Sequence, residues 1–458
     1  MPWTFFGLEL ASRALQSMQM AMNTTSHNLA NVNTPGYSRQ RVHLGTTEPL
    51  ALQGVRTLFM GSGVRVEGIQ RLRDLFVDAR MAATGSEYHK YATLYQRLTQ
   101  IEDVFSEPTE AGLSRRIVAF FNAFQELSAN PENVGIRAGV LQQSEAMTRT
   151  FRELAARLDE MFLEMEQRVR STASEVNFLA RSIAELNVRI RYQKALGTES
   201  GDLLDQRARL VEKLTEYVGA RVTEMADGTL RISVGEFVLV EGERARALPS
   251  AGIDYLGKAL TGAMGERAYV SSGSMRALMD GMEYLRTYRD RLDRLAEELV
   301  TQVNTIHQAG YGLDGSTGNR LLEGTDALTI RVSGDISDIN RIAAGVTSAP
   351  GDGNNALALS RLRARTFASL DNKTIPDFYS AIVAELGEHT RSASVGRENS
   401  KILLQNLQAE RESVSGVNVD EEMSNLLRYQ RSYQAAAQLV SMMDSAIADL
   451  IAALSGRR

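Results

Sequence analysis

Apolar residues recur with alternating steps of three and four in two stretches, one near each end of the chain. The first set, the N-terminal stripe, is Leu8, Ala11, Leu15, Met18, Met22, Thr25 and Leu29. The second set, the C-terminal stripe, is Leu426, Tyr429, Tyr433, Ala436, Val440, Met443, Ile447, Leu450 and Leu454. This spacing places each set on one side of an α-helix, as in the seam of a coiled coil. A helix cannot bury such a stripe alone, so we expect the two terminal helices to pair and the stripes to form a self-assembly interface.

The first helix is predicted to run from about Leu8 to about Asn31. The segment Thr34-Pro35-Gly36-Tyr37 follows it, with proline and glycine at the two central positions of a type II turn. On physical grounds alone this segment is a helix stop. Extended segments are predicted after it, at Arg39–Leu44 and Val64–Glu67.

The longest helical prediction covers Val140 to Leu196, 57 residues without glycine or proline. A helix of that length would be roughly 85 Å long. Its predicted seam is Met147, Phe151, Leu154, Leu158, Met161, Met165, Val169, Thr172, Val176, Leu179, Ile183, Leu186 and Ile190. A seam of this length is typical of a structural shaft.

The period changes to that of strands after about Leu214. Three strands are predicted at 220–225, 229–234 and 236–240, with Asp227-Gly228 as a hairpin turn. Helices are predicted again at 275–308 and 378–414. Asn418 is the predicted N-cap of the last helix, and Glu421 would complete a capping box.

The predicted fold is mainly α with a small β-rich insertion, in which paired N- and C-terminal helices form a coiled coil beside a long helical-bundle domain. Three domains follow from these elements. They are an axial terminal domain (1–45 and 416–458), a helical domain (46–215, 275–310 and 355–415) and an outward β-rich domain (216–274 and 311–354).

Composition and charge exclude several classes of protein. The 458 residues carry a net charge of −5 with both signs interspersed, so we expect no nucleic-acid partner. The chain has no cysteine, which excludes disulfides and thiolate metal sites. We found no secretory leader in Met1–Leu10 and no run of about 20 apolar residues, so we expect no membrane insertion.

Candidate chemistry is lacking along the whole sequence. The five histidines are His27, His43, His89, His307 and His389, and none lies within five residues of another. Metal-ligand spacing is therefore absent, and no glycine-rich phosphate or dinucleotide motif occurs. The carboxylate pair Glu421-Glu422 is interpreted as a solvated or capping pair. We expect no enzyme activity, no metal and no cofactor.

The segment Ser26–Arg39, which reads SHNLANVNTPGYSR, resembles the N-terminal signature of the axial proteins of the bacterial flagellum, the rod, hook and hook-associated proteins. The motif positions are Asn28, Ala30, Asn31, Asn33, Thr34, Pro35, Gly36 and Tyr37. Further resemblance lies in Leu204–Arg207, Asn354–Leu359, Ser415–Glu422 and Leu427–Gln430. The spelling is most similar to the hook-associated members.

This resemblance implies a structural protein at the hook–filament junction, needed for filament assembly. It implies terminal helices that line a central channel and partners that are further copies in a ring or helical array, the hook protein, a second junction protein and an export chaperone. It also implies export by the flagellar type III apparatus to an extracellular position. The chain is short for the family, so a second outer domain is expected to be missing.

Two alternatives stay open from the sequence. One is a sibling axial protein of the rod or hook, although the long helical shaft argues against a hook protein with a mostly β middle. The other is a secreted coiled-coil effector or adhesin, which would not need the Asn-Thr-Pro-Gly-Tyr signature.

Overall fold

The computed structural model describes residues 6–52, 58–105, 112–198 and 200–455. Helices dominate it, as predicted. Their bounds are α1 Phe6–Ala30, α2 Leu75–Phe105, α3 Leu113–Ala129, α4 Val134–Ala195, α5 Gly201–Val218, α6 Gly273–His307, α7 Asn354–Arg361, α8 Ile375–Ser415 and α9 Val419–Ser455. The mainly α fold class with a small β-rich part is confirmed.

The strands are short and pair into small antiparallel sheets. Their bounds are β1 Gln40–Thr46, β2 Leu50–Leu52, β3 Leu58–Met60, β4 Val64–Arg71, β5 Arg221–Glu224, β6 Leu230–Val234, β7 Phe237–Glu241, β8 Arg244–Ala245, β9 Gly252–Asp254, β10 Ala259–Thr261, β11 Arg267–Tyr269, β12 Leu322–Glu323, β13 Arg331–Val332, β14 Thr366–Phe367 and β15 Lys373–Thr374. The larger sheets have the orders β5-β6-β7-β8 and β11-β10-β9, while β1 pairs with β4.

The chain divides into two compact units. The first comprises Met1–Gly85, Val176–Ala247 and Lys401–Arg458, and the second comprises Ser86–Glu175 and Leu248–Ser400. Helices α2, α4 and α8 contribute residues to both. The three predicted domains remain a prediction, since these units group the same segments differently.

The long helix α4 is the predicted shaft, and it begins earlier than expected. The Asn133 side chain caps its first turn by accepting hydrogen bonds from the Gly135 and Ile136 amides at 2.9 and 3.3 Å. This cap offsets the low helix propensity of the glycines that follow it. The predicted seam positions are buried, except Met161 and Thr172, which are half-buried.

In the first unit, a buried arginine links the sheet β5–β8 to helices α4 and α5 through hydrogen bonds. Arg207 on α5 donates to Asn187 Oδ1 on α4 at 3.0 Å and to the Gly228 carbonyl at 2.6 Å. Asn187 in turn donates to the Gly242 carbonyl at 2.7 Å. Gly228 has a φ of +84°, which confirms the predicted hairpin turn.

In the second unit, buried polar groups hold the glycine-rich segment that follows α6. Arg137 donates to the carbonyls of Pro131 and Ile342 at 2.7 and 2.6 Å. His307 lies between the Asn319 carbonyl, 2.8 Å from Nδ1, and the Ala343 amide, 2.9 Å from Nε2. Only neutral imidazole satisfies both contacts, because Nδ1 must donate and Nε2 must accept.

Burial lowers the pKa of His307 to about 4, whereas an unfolded histidine titrates near 6.5. Between these values the unfolded chain binds a proton that the folded chain excludes. The stabilisation from neutral His307 is therefore complete above pH 6.5 and is lost as the pH falls toward 4. We expect a loss of about 2 kcal/mol between pH 6.5 and 5.

Urea unfolding of the full chain at both pH values measures this loss. The control is His307→Gln, whose amide can donate to Asn319 and accept from Ala343 but does not titrate. The variant should lose about 2 kcal/mol less than the wild type over the same interval. Equal losses in both proteins would contradict the assignment.

Candidate functional site

The two terminal helices α1 and α9 pack against each other in antiparallel orientation. At one end, α9 lies so close to α1 that a side chain placed on Gly7 would overlap Cε of Met443. At the other end, Asn28 donates to the Glu422 carboxylate at 2.9 Å. The paired terminal helices that the sequence predicted are therefore present in the first unit.

The C-terminal stripe lies on the side of α9 that is covered. Ala436 is buried, and Leu426, Tyr429, Tyr433, Val440, Met443 and Ile447 are half-buried. The side chains of Leu450 and Leu454 lie outside the described residues. Partial burial of the large members follows from pairing with a single helix, which covers only one side of each side chain.

The covered side of α1 shares Ala11 and Thr25 with the N-terminal stripe but is rotated from it toward smaller residues. Its buried members are Ala11, Ser17, Ala21, Thr24, Thr25 and Asn28. The large residues Leu8, Leu15, Met18, Met22 and Leu29 are half-buried. Small side chains on the covered side let α9, β1 and β4 approach the α1 backbone closely, which displaces the larger residues to its flanks.

The turn after α1 forms as predicted. Gly36 has a φ of +72°, and the Tyr37 amide donates to the Thr34 carbonyl at 3.1 Å. Arg209 on α5 donates to the Pro35 carbonyl at 2.8 Å. The motif residues at the surface are Ala30, Asn33, Thr34, Pro35 and Gly36, whereas Asn31 and Tyr37 are half-buried.

Asn28 is the centre of a buried hydrogen-bond network. It is 1% exposed. Its Oδ1 accepts from the Tyr37 hydroxyl at 2.8 Å and from the Gln40 amide at 2.9 Å, while its Nδ2 donates to the Gln40 carbonyl and to Glu422. Burial, followed by the nearby carboxylates Asp202, Asp205 and Glu422, raises the pKa of Tyr37 well above its usual value. The phenol therefore stays protonated and donates.

The first turn of α9 enters the same network. Glu422, which is 2% exposed, accepts from Arg39 Nε at 2.8 Å, and Glu421 accepts from the same guanidinium at 3.0 Å. The hydrogen bond from Arg39 lowers the pKa of Glu421. Asn418 caps the helix as predicted, accepting from the Glu421 amide at 3.2 Å. The Glu421 carboxylate binds Arg39, in place of the return contact of a capping box.

Helix α5 contributes Asp205 to this hydrogen-bond network. This carboxylate is 3% exposed and accepts from the Ser38 amide at 3.0 Å and the Ser38 hydroxyl at 2.8 Å. It also forms an ion pair with Arg71 at the end of β4. Burial lowers the pKa of Arg71, while the Asp205 charge opposes that shift.

We call Asn28, Tyr37, Arg39, Asp205 and Glu422 the motif cluster. It unites three separate segments that carry the flagellar resemblance, Ser26–Arg39, Leu204–Arg207 and Ser415–Glu422. The interpretation of Glu422 as a solvated or capping carboxylate was wrong, because its carboxylate is buried against Asn28 and Arg39. The interpretation of the turn as a helix stop alone was incomplete, because Tyr37 at its end donates to Asn28 and Arg39 just after it donates to Glu422.

The cluster has the chemistry of a structural joint. Its hydrogen-bonding and charged groups are directed at one another, and among the described residues no group of three His, Asp or Glu side chains could hold a metal ion. No local signal marked Arg39 or Asp205 as members, whereas Glu422 continues the C-terminal stripe four residues before Leu426. The burial of Asp205 and Glu422 depends on segments that lie far apart in the sequence.

Three family models match separate parts of the chain. "Flagella basal body rod protein" matches residues 8–37, "Flagellar hook-associated protein FlgK helical domain" matches 98–322, and "Flagellar basal body rod FlgEFG protein C-terminal" matches 408–453. The first and last matches contain the N-terminal stripe, the C-terminal stripe up to Leu450, and Asn28, Tyr37 and Glu422 of the motif cluster.

Relatives named flagellar hook-associated protein 1 align over nearly the whole chain. The Bacillus subtilis protein is 28% identical, covering 98% of this chain and 98% of its own length. The Salmonella typhimurium protein is 24% identical, covering 94% of this chain and 96% of its own.

The chain belongs to the flagellar hook-associated protein family.

A solved structure agrees with this family's fold. The structure titled the flagellar hook junction protein FlgK from Burkholderia pseudomallei matches 73% of this chain and all of its own, with a TM-score of 0.61 and 13% identity. Proteins of the hook-associated family are structural components of the flagellum, and the motif cluster is a structural joint between segments of such a protein.

Proposed function

We propose that this chain is a structural junction protein that joins the flagellar hook to the filament and is needed for filament assembly. The observation that carries the proposal is a pair of terminal helices whose apolar residues are only partly covered within one subunit. The relatives carry names that specify hook association, and the structural neighbour is titled a hook junction protein. The helical-domain match over 98–322 favours this position over the rod or hook.

Helix α9 exposes large apolar side chains outside its contact with α1. The exposed fractions are 51% for Leu427, 47% for Leu439, 60% for Met442 and 59% for Ile451. Apolar residues exposed along one helix favour contact with another macromolecule. We propose that neighbouring copies of this chain cover them in a ring or helical array.

The stretch that contains α8 and α9 is long and apolar enough to satisfy a length and hydropathy criterion for membrane crossing. Within Ile375–Ala453, one 18-residue window reaches a mean hydropathy of 1.3, and 6% of that window is buried. We propose packing against further subunits in place of membrane insertion, because α9 already pairs with α1 through the C-terminal stripe.

The remaining partners follow from the proposed position. They are the hook protein on one side, a second junction protein on the other, and an export chaperone that covers α9 before assembly. We propose that the chain leaves the cell through the flagellar type III apparatus and acts outside it. Incorporation stabilises the terminal helices further, because neighbouring copies cover side chains that the helix pair of one subunit leaves half-covered.

Deletion of the gene in its host tests the proposed position. We expect hooks without filaments in electron micrographs, together with unpolymerised filament protein in the medium. Complementation with the wild-type gene is the control. Absence of hooks would instead indicate a rod or hook component, and intact flagella would indicate a secreted effector or adhesin.

A further inference from the structure

The motif cluster lies at one end of a helix pair whose remaining contacts are repetitive. Along α9 the covered positions recur every three or four residues, and on α1 they are mostly small. Sliding α9 by one heptad along α1, about 10.5 Å, would therefore still place apolar residues against small ones. The apolar contacts alone define the axial register poorly.

The polar contacts define one register only. Asn28 meets Glu422 and Gly7 meets Met443, so opposed residue numbers add up to the same total at both ends. A one-heptad slide that brings Tyr429 opposite Asn28 would replace the carboxylate of Glu422 with an aromatic ring, and Glu422 would lose its amide partner. A buried carboxylate without its partners is strongly unfavourable.

We propose that Asn28, Arg39 and Glu422 are positioning residues that set the axial register of α1 against α9. A single polar residue in an apolar helix seam is known to specify register at some cost in stability. Asn28 and Glu422 lie where α1 ends and α9 begins, which is where the helix pair joins the rest of the first unit. The C-terminal stripe extends along α9 away from this point. The register set at this end determines which apolar side chains α9 presents along its whole length.

The absence of cysteine from the chain allows a direct test with engineered disulfides. The cysteine pair Gly7→Cys/Met443→Cys, called the native reporter, forms a disulfide in the observed register. The cysteine pair Ala14→Cys/Met443→Cys, called the slide reporter, forms a disulfide only after a one-heptad slide. In the observed register these positions are two helical turns apart along the axis and cannot form a disulfide. Purified full-length protein is oxidised, and the two yields are compared on non-reducing gels.

The first variant removes the polar contacts. In Asn28→Leu/Glu422→Leu, the guanidinium of Arg39 keeps Glu421 as its partner. In the parent, we expect the disulfide yield of the slide reporter to be under about a tenth of that of the native reporter. In this variant, the yield of the slide reporter should rise at least about fivefold. The matched control is Glu421→Leu, a neighbouring and exposed carboxylate on the same guanidinium, which should leave the ratio unchanged.

The second variant moves the carboxylate instead of deleting it. In Glu422→Leu/Tyr429→Glu the new carboxylate meets Asn28 only after a one-heptad slide, which brings position 443 opposite position 14. The slide reporter should then exceed the native reporter. A parental ratio in both variants, with helical content retained by circular dichroism, would show that the covalent connections set the register and would overturn the proposal.

Discussion

A subunit carrying Val440→Asp and Ile447→Asp should be exported and should keep its helical middle, yet fail to join the flagellum. Both residues belong to the C-terminal stripe and are half-buried against α1 in the single subunit. Assembly would bury them further, and an aspartate without a partner in such a place costs on the order of 3 kcal/mol. Two such losses should reduce incorporation by at least about a hundredfold.

Incorporation is measured by the amount of variant protein in purified hook–filament particles relative to the amount in the medium. Val440→Leu and Ile447→Leu form the matched control, because both keep an apolar side chain of similar volume at the same stripe positions. The control should incorporate within about threefold of the wild type. Normal incorporation of the stripe variant would refute the role proposed for α9.

The second large effect is expected at Asp205. Replacing it with alanine removes the acceptor for the Ser38 amide and hydroxyl and leaves the Arg71 guanidinium without its ion-pair partner. Removing one partner of a buried ion pair typically costs about 3–5 kcal/mol. We expect a loss of that size in the free energy of unfolding of the first unit, followed by urea denaturation of the full chain.

The control for this prediction lies one turn earlier on the same helix. Asp202 is exposed and contacts His27 and the Gln40 side chain at 3.2 Å. Asp202→Ala should cost less than about 1 kcal/mol, as is usual for an exposed ion pair. Similar losses in the two variants would mean that α5 contributes through helix stability and not through the buried contacts of Asp205.

The Salmonella relative shows that the family accommodates additional segments. Its alignment runs over 537 positions, more than the 458 residues of this chain, so that relative has segments that this chain lacks. This agrees with the expectation that the chain is short for the family. The terminal family models match the N-terminal stripe, the C-terminal stripe up to Leu450, and Asn28, Tyr37 and Glu422 of the motif cluster.

Local patterns predicted the elements correctly where one interaction decided the conformation. The C-terminal stripe has the expected side covered because a heptad repeat specifies the face of a helix whatever its partner. Gly36 and Gly228 form the expected turns because few other residues adopt a positive φ. Helix α4 extends beyond its predicted start because the side-chain cap of Asn133 outweighs the propensity of two glycines.

Local patterns failed where burial of polar groups decided the outcome. The carboxylates of Glu421 and Glu422 are adjacent on one helix, yet Glu421 remains exposed and Glu422 is buried. The spacing places Glu422, four residues before Leu426, on the covered side of α9, but it does not predict that a carboxylate is buried there. The difference arises because α1 and the turn after it cover one side of α9 and present Asn28 and Arg39 to that side.

The amino-acid sequence alone establishes the helical class, the two apolar stripes, the turn after α1 and the resemblance to flagellar axial proteins. Each depends on periodicity or on residues close together in the chain, where backbone geometry restricts the choices. The folded structure was needed to show which small residues of α1 are covered, that Asn28 donates to Glu422, and that Asp205 accepts from Ser38. Those contacts join segments up to 394 residues apart, and their energies depend on burial, which exists only once the chain has folded.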